Sequence, residues 1–273
     1  MKDFSKQVSA LAARKGSTPL ALVTGASSGM GLMYAEMLAR SGCDILAVSN
    51  QQELLPSLAQ RLHEEWGVKA IARYQDLSTP DAADALLQFC DDNALEVDIL
   101  INNAGMFFFK ELDARADRRR IDTILHLHML TVVHTTLLFG DRMKKRGYGY
   151  MMNVSSLAAS LPVPGITLYA STKAFLKVFT QSYHYELRPY GVGLTVVCPP
   201  AVATPLYGLK PSLMKLGVNT GVIKTPAWLV RRALRGMFRR RRTVRPGLMN
   251  WYLPPLIHLL PNPMVGWIWK KIK

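Results

Sequence analysis

Short apolar runs alternate with longer amphipathic segments along most of this chain, and no other feature limits its fold so strongly. The first apolar run, Leu20-Ala21-Leu22-Val23-Thr24, is followed by a glycine-containing turn and a helical pattern that extends to about residue 40. Strands that are apolar throughout and alternate with helices are typical of a parallel sheet with both faces covered. The alternation therefore predicts an α/β protein in which helices cover both faces of a parallel sheet.

The same pattern predicts the remaining elements. We expect strands at residues 44–48, 68–74, 97–101, 150–154 and 193–197, and a last short strand near Thr243 and Val244. We expect helices at residues 53–65, 80–92, 118–145, 172–187 and 226–240, with Ser78 or Thr79 as the N-cap of the second. No linker or repeat is visible. We therefore expect an N-terminal extension at 1–18, one domain at 19–246 with an active-site lid at about 199–225, and an apolar and basic tail at 247–273.

Composition excludes several classes of protein. The 273 residues are 49% hydrophobic, which is enough for a large core, and the net charge of +15 favours polyanionic partners. The three cysteines, Cys43, Cys90 and Cys198, form no CxxC pair, so we expect buried thiols, no metal site and a reducing cytosol. The first 18 residues lack the apolar run of a signal peptide. No stretch reaches about 20 uninterrupted apolar residues, so we expect no membrane-spanning helix.

Three glycines, Gly25, Gly29 and Gly31, lie between the first strand and the first helix, in Thr24-Gly25-Ala26-Ser27-Ser28-Gly29-Met30-Gly31. Gly25 lets the chain turn, Gly29 lets the backbone approach a pyrophosphate, and Gly31 lets helix and strand pack closely. The free N–H groups at the start of the helix would face the phosphates. The alternative is a tight turn that binds no ligand.

The spacing of this turn, TGxxxGxG, and five further motifs in order resemble the short-chain dehydrogenase/reductase family. The further motifs are Asp76-Leu77, Asn102-Asn103-Ala104-Gly105, Asn153-Val154-Ser155-Ser156, Tyr169-Ala170-Ser171-Thr172-Lys173 and Pro199-Pro200-Ala201-Val202-Ala203-Thr204. The resemblance runs from about Leu20 to Thr204. It implies a single Rossmann-type, doubly wound sheet and an oxidoreductase that moves a hydride between a nicotinamide cofactor and a carbonyl or alcohol carbon.

The resemblance also implies where the cofactor would lie. Asp76 would hold the adenine amino group, and Thr204 would contact the cofactor amide or phosphate. The predicted cofactor-binding residues are Gly25, Ser27, Ser28, Gly29, Met30, Gly31, Ser49, Asn50, Asp76, Leu77, Asn103, Ala104, Gly105, Tyr169, Lys173, Pro199, Val202 and Thr204. No acidic residue follows the second strand, as NAD would require, so we expect NADP(H) rather than NAD(H), although the expected arginine is also missing.

Tyr169 and Lys173 lie four residues apart, so on a helix they project to one face. A nearby ammonium lowers the pKa of a phenol from its usual value of about 10. By resemblance, Tyr169 protonates the carbonyl oxygen, Lys173 also bonds the nicotinamide ribose, and Ser156 polarises the carbonyl and stabilises the alkoxide. An unrelated pair on a surface helix is the alternative.

One position departs from the family pattern. The family usually places an asparagine inside the long helix, where it holds a water in a proton relay behind the lysine, and the matching position here is His128. A histidine can hold water and pass protons, so His128 is the fourth catalytic candidate. The alternative is a histidine that merely packs in the helix.

The substrate is expected to be an apolar, lipid-like or bulky ketone or alcohol. Segments that line the substrate cleft in the family are apolar here, and core packing of the three phenylalanines is the alternative. These residues are Met106, Phe107, Phe108, Phe109, Leu157, Pro162, Leu206, Tyr207 and Leu209.

A basic run precedes the aromatic tail, which suggests a cytoplasmic protein that is peripheral at an anionic membrane. The residues are Arg231, Arg232, Arg235, Arg239, Arg240, Arg241 and Arg242, followed by Trp251, Tyr252, Trp267 and Trp269. The alternative is a solvated helix face with a tail packed on a partner subunit. By resemblance the chain pairs through its long helices as a homodimer or homotetramer. The positive charge alone would allow nucleic-acid binding, but the sequence contains no recognisable nucleic-acid-binding motif, so we do not expect it.

Two other function classes remain open at the level of sequence. A non-catalytic NADP-binding sensor or scaffold is suggested by the replacement at His128. A membrane-surface interaction protein could reuse the same fold without turnover. Comparing NADPH turnover on a ketone panel with that of a Tyr169→Phe variant would separate an enzyme from both.

Overall fold

The computed structural model describes residues 4–113, 115–208 and 210–272. Seven strands form one sheet in the order β3-β2-β1-β4-β5-β6-β7, and every neighbouring pair is parallel. The strands are β1 (Leu20–Thr24), β2 (Asp44–Ser49), β3 (Ala70–Tyr74), β4 (Val97–Asn102), β5 (Gly149–Val154), β6 (Val192–Val197) and β7 (Thr243–Val244). The strand order reverses between β1 and β4, and a crevice opens at such a switch point in α/β sheets.

Eleven α-helices are present in the described part of the chain. They are α1 (Ser5–Lys15), α2 (Gly29–Arg40), α3 (Leu55–Trp66), α4 (Ala82–Asp92), α5 (Arg118–Leu125), α6 (Thr131–Arg146), α7 (Thr167–Leu187), α8 (Pro211–Asn219), α9 (Pro226–Phe238), α10 (Met249–Leu259) and α11 (Asn262–Ile272). A single π turn, His126–Leu130, joins α5 to α6.

The two faces of the sheet contribute to two separate hydrophobic clusters. In β1, Ala21 and Val23 pack with α1, α2, α3 and α9, whereas Leu20 and Leu22 pack with α4, α6 and α7. This division follows from the period of two along a strand, which sends alternate side chains to opposite faces. The predicted α/β class, with one doubly wound parallel sheet covered on both faces, is confirmed.

Two predicted helix starts are wrong. The helix that carries Tyr169 begins at Thr167 rather than at residue 172, so Tyr169 and Lys173 both lie inside α7. The helix α4 begins at Ala82, and Asp81 occupies its N-cap position rather than Ser78 or Thr79. Ser78 instead turns back to Asp76, whose carboxylate accepts hydrogen bonds from both the amide and the hydroxyl of Ser78.

The N-terminal segment folds as a helix that packs on the domain. Val8 and Leu11 are buried in the cluster of α2 and α9, and the ring of Phe4 lies 5.4 Å from that of Phe238. The ammonium of Lys15 forms an ion pair with the buried carboxylate of Asp98 at 2.7 Å. The proposed division at residues 1–18, 19–246 and 247–273 stays a prediction.

The continuous helical stretch Arg118–Arg146 is long and apolar enough to cross a membrane, judged by length and composition alone. The core helix of a soluble protein can pass the same test. In the structure, α6 packs on α4 and on the sheet, and Phe139 and Met143 are buried there. The expectation of no spanning helix stays a prediction.

The segment predicted as an apolar and basic tail contains two helices, α10 and α11. Only Asn250 is buried in α10, whereas Leu248, Trp251 and Tyr252 are largely exposed. All three cysteines are free and buried, as predicted.

Candidate active site

A cavity of about 460 Å³ lies at the carboxyl edge of the sheet, where β1, β2, β3, β4 and β5 end. Residues from the glycine turn, from the loops after these strands, from the α5–α6 junction and from α7 line it. They are Gly25, Ser28, Gly29, Met30, Ser49, Asn50, Gln51, Gln75, Asp76, Leu77, Ser78, Asn103, Ala104, Gly105, Met106, Thr123, Leu127, His128, Val154, Ser155, Tyr169, Lys173, Thr204, Pro205 and Leu206.

The glycine turn needs its glycines for two different reasons. Gly25 and Gly29 have φ angles of 65° and 55°, in the left-handed region that favours glycine. A Cβ on Gly31 would lie 1.9 Å from the carbonyl oxygen of Gly25, so only glycine allows α2 to start this close to the turn. The side chain of Thr204 packs against the turn from the other side. A Cβ on Gly29 would lie 3.2 Å from this side chain.

A network of neutral polar groups covers the end of β2. The hydroxyl of Ser27 lies 2.8 Å from that of Ser49 and donates to the side-chain oxygen of Gln51 at 2.5 Å. Asp76 is the sole acidic residue lining the cavity within the described ranges, and Ser78 already occupies one of its oxygens. The region therefore offers hydroxyl and amide donors but no carboxylate at β2.

The asparagine segment after β4 ties the central strands together. The backbone amides of Asn103 and Ala104 donate to the hydroxyl of Thr24, and the side-chain amide of Asn103 donates to the carbonyl of Thr24 at 3.0 Å. The side-chain oxygen of Asn103 is buried without a hydrogen-bond partner among the described residues. Since a buried polar atom normally has a partner, this oxygen is a candidate contact for a ligand in the cavity.

Tyr169 and Lys173 lie together on the cavity side of α7. The ammonium of Lys173 donates to the carbonyl oxygen of Val154 at 3.0 Å and lies 5.8 Å from the centre of the Tyr169 ring. Burial lowers the pKa of Lys173 from 10.5 to about 8, because the charged form loses its hydration. The lysine therefore places a buried positive charge next to the phenol.

The two serines after β5 have different partners. Ser155 lines the cavity, but its hydroxyl donates to the carbonyl oxygen of Lys173 at 2.7 Å. Ser156, the predicted catalytic serine, is not among the lining residues; its hydroxyl oxygen accepts the Ala158 amide at 3.1 Å and keeps its own proton to donate.

His128 is fully buried in the π turn and borders the cavity. Its Nε2 accepts a hydrogen bond from the backbone amide of Met106 at 3.0 Å, and its Nδ1 lies 3.1 Å from the hydroxyl of Thr172. Burial and the nearby charge of Lys173 hold the pKa of His128 well below its usual value. The ring is therefore neutral.

Met106 lines the cavity, whereas Phe107, Phe108 and Phe109 are not among its lining residues, so their place in a substrate cleft stays a prediction. The ring of Phe107 meets that of Tyr169 edge-on at 5.0 Å, and Phe108 packs against the same cluster. Phe109 is about half exposed, and Leu206 lines the cavity. Leu157 is buried. Leu209 and the side chains of Tyr207 and Trp269 lie outside the described residues.

Most of the predicted cofactor residues are brought together, with some exceptions and additions. Ser27, Gly31, Pro199 and Val202 are not among the lining residues, and Val202 pairs with Lys224 in a short bridge. The lining residues that sequence reasoning did not name as site residues are Gln51, Gln75, Ser78, Thr123, Leu127, Val154, Ser155 and Pro205. Several directly follow or precede a motif, so strand ends alone could have indicated them, whereas Thr123 and Leu127 carry no such signal.

The donors and shape of the site fit a dinucleotide. Ser28, Gly29 and Met30, at the start of α2, line the cavity, and the free amides of a helix start can bind an anion. The side-chain oxygen of Asn103 and the ammonium of Lys173 add polar contacts further along the same cavity. Among the described residues, no group of three or more His, Cys, Asp or Glu side chains is arranged to hold a metal ion.

A parallel sheet with this strand order, a glycine turn after its first strand and a tyrosine–lysine pair at its carboxyl edge define a class of nicotinamide-dependent dehydrogenases. The family model for short chain dehydrogenases matches residues 19–212. The chain belongs to the short-chain dehydrogenase/reductase family.

Two similar proteins are named very-long-chain 3-oxoacyl-CoA reductases. The very-long-chain 3-oxoacyl-CoA reductase of Mus musculus is 34% identical over 206 residues, which are 74% of this chain and 65% of that protein. The Homo sapiens protein of the same name is 32% identical over 260 residues, which are 92% of this chain and 77% of the human protein. The chain thus spans less than two thirds of the length of the mouse relative.

A solved structure has the same fold. A short-chain dehydrogenase from Sphingobium yanoikuyae in complex with NADPH superimposes with a TM-score of 0.76. The two chains are 30% identical, and the match covers 89% of this chain and 97% of that one.

Proposed function

We propose that this protein is an NADP(H)-dependent oxidoreductase that interconverts a ketone and a secondary alcohol on an apolar substrate. One observation carries the proposal: Tyr169 and Lys173 lie side by side, buried, in the cavity that also contains the glycine turn. A pair on a surface helix would be solvated and would not share a cavity with a phosphate-binding turn.

Three residues have distinct roles in the proposed reaction. When bound, the nicotinamide supplies or accepts the hydride. Tyr169 donates a proton to the carbonyl oxygen during reduction, and the positive charge of Lys173 makes its phenolate less costly. The hydroxyl of Ser156, which still has a proton to give, stabilises the developing alkoxide.

The substrate is proposed to be lipid-like, of the 3-oxoacyl thioester class. The named activity of the mouse and human relatives supports this class. The aromatic rings of Phe107 and Phe108 beside Tyr169 support it independently, because they would shield an acyl chain from water.

NADP(H) is proposed as the preferred cofactor. The end of β2 presents Ser49, Asn50 and Gln51 to the cavity, without a carboxylate that would repel a 2′-phosphate. The relative from Sphingobium yanoikuyae has NADPH bound. Dissociation constants for NADPH and NADH, measured by cofactor fluorescence, test the preference; equal affinities would contradict it.

The central test is the oxidation of NADPH with 3-oxoacyl thioesters of increasing chain length. Tyr169→Phe keeps the ring but removes the proton, so we expect turnover to fall by about 10²- to 10⁴-fold with NADPH binding retained. Tyr185→Phe is the matched control, because Tyr185 lies on the same helix but is exposed. NADPH binding without turnover on any ketone would favour the non-catalytic sensor instead.

The tail is proposed to dock on an anionic membrane surface. Trp251, Tyr252 and Leu259 are largely exposed, and cations lie over two of the tail aromatics: Arg245 over Trp251 at 5.8 Å and Lys271 over Trp267 at 4.1 Å. Aromatic rings with adjacent basic groups are typical of membrane interfaces.

Flotation with vesicles of phosphatidylcholine and phosphatidylserine tests this setting. We expect binding at low salt that weakens with added salt and is lost in a Trp251→Ser, Tyr252→Ser variant. Trp66→Ser, which changes an exposed tryptophan on α3, should bind normally. No flotation, or a shift from dimer to monomer in the tail variant without an effect on vesicles, would contradict the membrane proposal.

A homodimer or homotetramer paired through the long helices is proposed for the assembled protein. Exposed apolar side chains on α7, including Phe175 and Val178, and Leu137 on α6 support it, since contiguous apolar surface favours association. Light scattering after size exclusion gives the mass; a monomer at all concentrations would contradict pairing.

A further inference from the structure

The hydrogen bonds of His128 determine which of its nitrogens carries the proton. A backbone amide can only donate, so Nε2, which accepts the Met106 amide at 3.0 Å, must be unprotonated. The proton of the neutral ring is therefore on Nδ1, which donates to the hydroxyl of Thr172 at 3.1 Å. Both ring nitrogens of His128 therefore have hydrogen-bond partners.

The hydroxyl of Thr172 continues the chain of hydrogen bonds. It accepts from His128 and donates its own proton to the carbonyl oxygen of Tyr169 at 2.9 Å. The chain therefore runs from the loop after β4, through the π turn, to the backbone of the residue that carries the phenol. Each donor in this chain of hydrogen bonds already has an acceptor. The side chains of His128 and Thr172 are fully buried.

The ring also fills the space between the loop and α7. A Cβ on Gly105 would lie 3.0 Å from Nε2 of His128 and 3.7 Å from the ammonium of Lys173. The His128 ring meets the Tyr169 ring edge-on at 5.7 Å. The loop therefore lies directly against both the imidazole and the lysine.

A proton on Nε2 would break the bond to Met106 and place a second cation beside Lys173. Lys173 and Tyr169 are the ionisable groups that approach the ring from α7, and the loop residues Gly105 and Met106 contribute none. Burial and the lysine charge hold the pKa of the ring well below its usual range. A group that carries protons during turnover needs a free nitrogen and a pKa near the working pH, and His128 has neither.

We propose that His128 is a positioning residue rather than a proton carrier: as the neutral Nδ1–H tautomer, it fixes the Gly105–Met106 loop against α7. The proposal rests on the proposed function, since the loop forms the cavity wall beside Lys173 and Tyr169. A fixed loop sets the distance between the bound cofactor and the catalytic pair. Removing the ring should therefore weaken cofactor binding more than it slows proton transfer.

The first test needs no substrate. Nitrogen-15 NMR of histidine-labelled protein should show one neutral Nδ1–H tautomer for His128 between about pH 5 and 8, where ordinary histidines titrate. A His128 signal that titrates, or that shows the Nε2–H tautomer, would overturn the proposal even if the protein proves to be an active reductase.

The second test separates positioning from relay. In His128→Leu we expect the Met106 amide to lose exchange protection and the dissociation constant for NADPH to rise by about tenfold, the size of one buried hydrogen bond. His128→Gln can still accept from Met106 and should restore part of the affinity. Thr172→Val, which removes only the anchor of Nδ1, should change NADPH binding in the same direction and less.

A relay role predicts a different pattern. His128→Leu and His128→Gln would then bind NADPH normally, lose kcat equally and lose one limb of the pH–rate profile, which would contradict positioning. Circular dichroism confirms that each variant is folded, and His134→Leu is the matched control on the exposed face of α6. Failure of all variants, and of the unmodified protein, to turn over any ketone would reject the proposed function while the tautomer and exchange results still decide the role of His128.

Discussion

The side-chain amide of Asn102 donates a hydrogen bond to the side-chain oxygen of Asn153 at 2.9 Å, across the two central strands β4 and β5. Threonines from the covering helices complete the pair: Asn102 also donates to Thr136 on α6, and Asn153 donates to Thr180 on α7. The network is fully buried beneath the carboxyl edge of the sheet. Every member restricts the position of the strand ends that line the cavity.

Replacing Asn102 by alanine should lower the free energy of unfolding by about 1–3 kcal/mol, because buried partners then lack a hydrogen bond. Urea denaturation followed by circular dichroism measures the change. Asn93→Ala is the matched control, since Asn93 is exposed and its side-chain amide donates to the carbonyl of Phe89. Equal effects of the two variants would mean that the central network adds no stability.

Lys15→Met should destabilise the fold by roughly 3 kcal/mol, because it leaves the carboxylate of Asp98 buried without its close cation. The guanidinium of Arg146 lies 3.6 Å from the other oxygen of Asp98 and offsets part of the loss. Chemical denaturation reports the difference, with Lys6→Met on the exposed face of α1 as the control. An unchanged midpoint for Lys15→Met would show that Arg146 alone neutralises Asp98.

The burial of Lys173 predicts a pH dependence of stability with a definite sign. Its pKa is about 8 in the folded state against 10.5 when exposed, so between these values the unfolded chain binds more protons. The free energy of unfolding should therefore rise by roughly 3 kcal/mol from pH 8 to 10.5, relative to a Lys173→Met variant that lacks the titration. Denaturation of both proteins at the two pH values gives the difference. A constant difference would mean that Lys173 keeps an ordinary pKa.

Gly31→Ala should weaken NADPH binding by at least about tenfold and cost about 1–3 kcal/mol of stability, because the new methyl group overlaps the carbonyl of Gly25. Fluorescence titration and thermal unfolding measure the two effects. Gly266→Ala in α11 has no atom within 4 Å of the added Cβ and should be neutral. Normal binding by Gly31→Ala would show that the turn can move away from α2.

Local patterns predicted the parts of the site that lie close together in the chain. The glycine turn follows an apolar strand directly, and the spacing of four between Tyr169 and Lys173 places them on one helix face. The helix α7 begins five residues before the predicted position, and no side chain before Thr167 caps it to mark its start in the sequence. The periodicity of apolar residues predicts whether a segment is a helix or a strand more reliably than it predicts where that segment begins and ends.

Contacts between distant segments could not be predicted. His128 bonds to Met106 and to Thr172, which lies 44 residues away, and nothing in the spacing indicates either partner. The sequence therefore left both roles of His128 open, a proton relay and a packed histidine, because only these partners distinguish them. Likewise, α1 packs through Val8 and Leu11, whose pattern is too short to distinguish a docked helix from a free extension.

Because all three thiols are buried, we expect the unmodified protein to react very slowly with maleimides and iodoacetamide. Burial raises the pKa of Cys90 to about 12 and also raises that of Cys198, so neither presents a thiolate to the reagent. A single cysteine introduced at an exposed tail position such as Trp267 would thus take up a fluorophore alone. An environment-sensitive dye at that site could then report the depth of the tail in a bilayer without removal of any native cysteine.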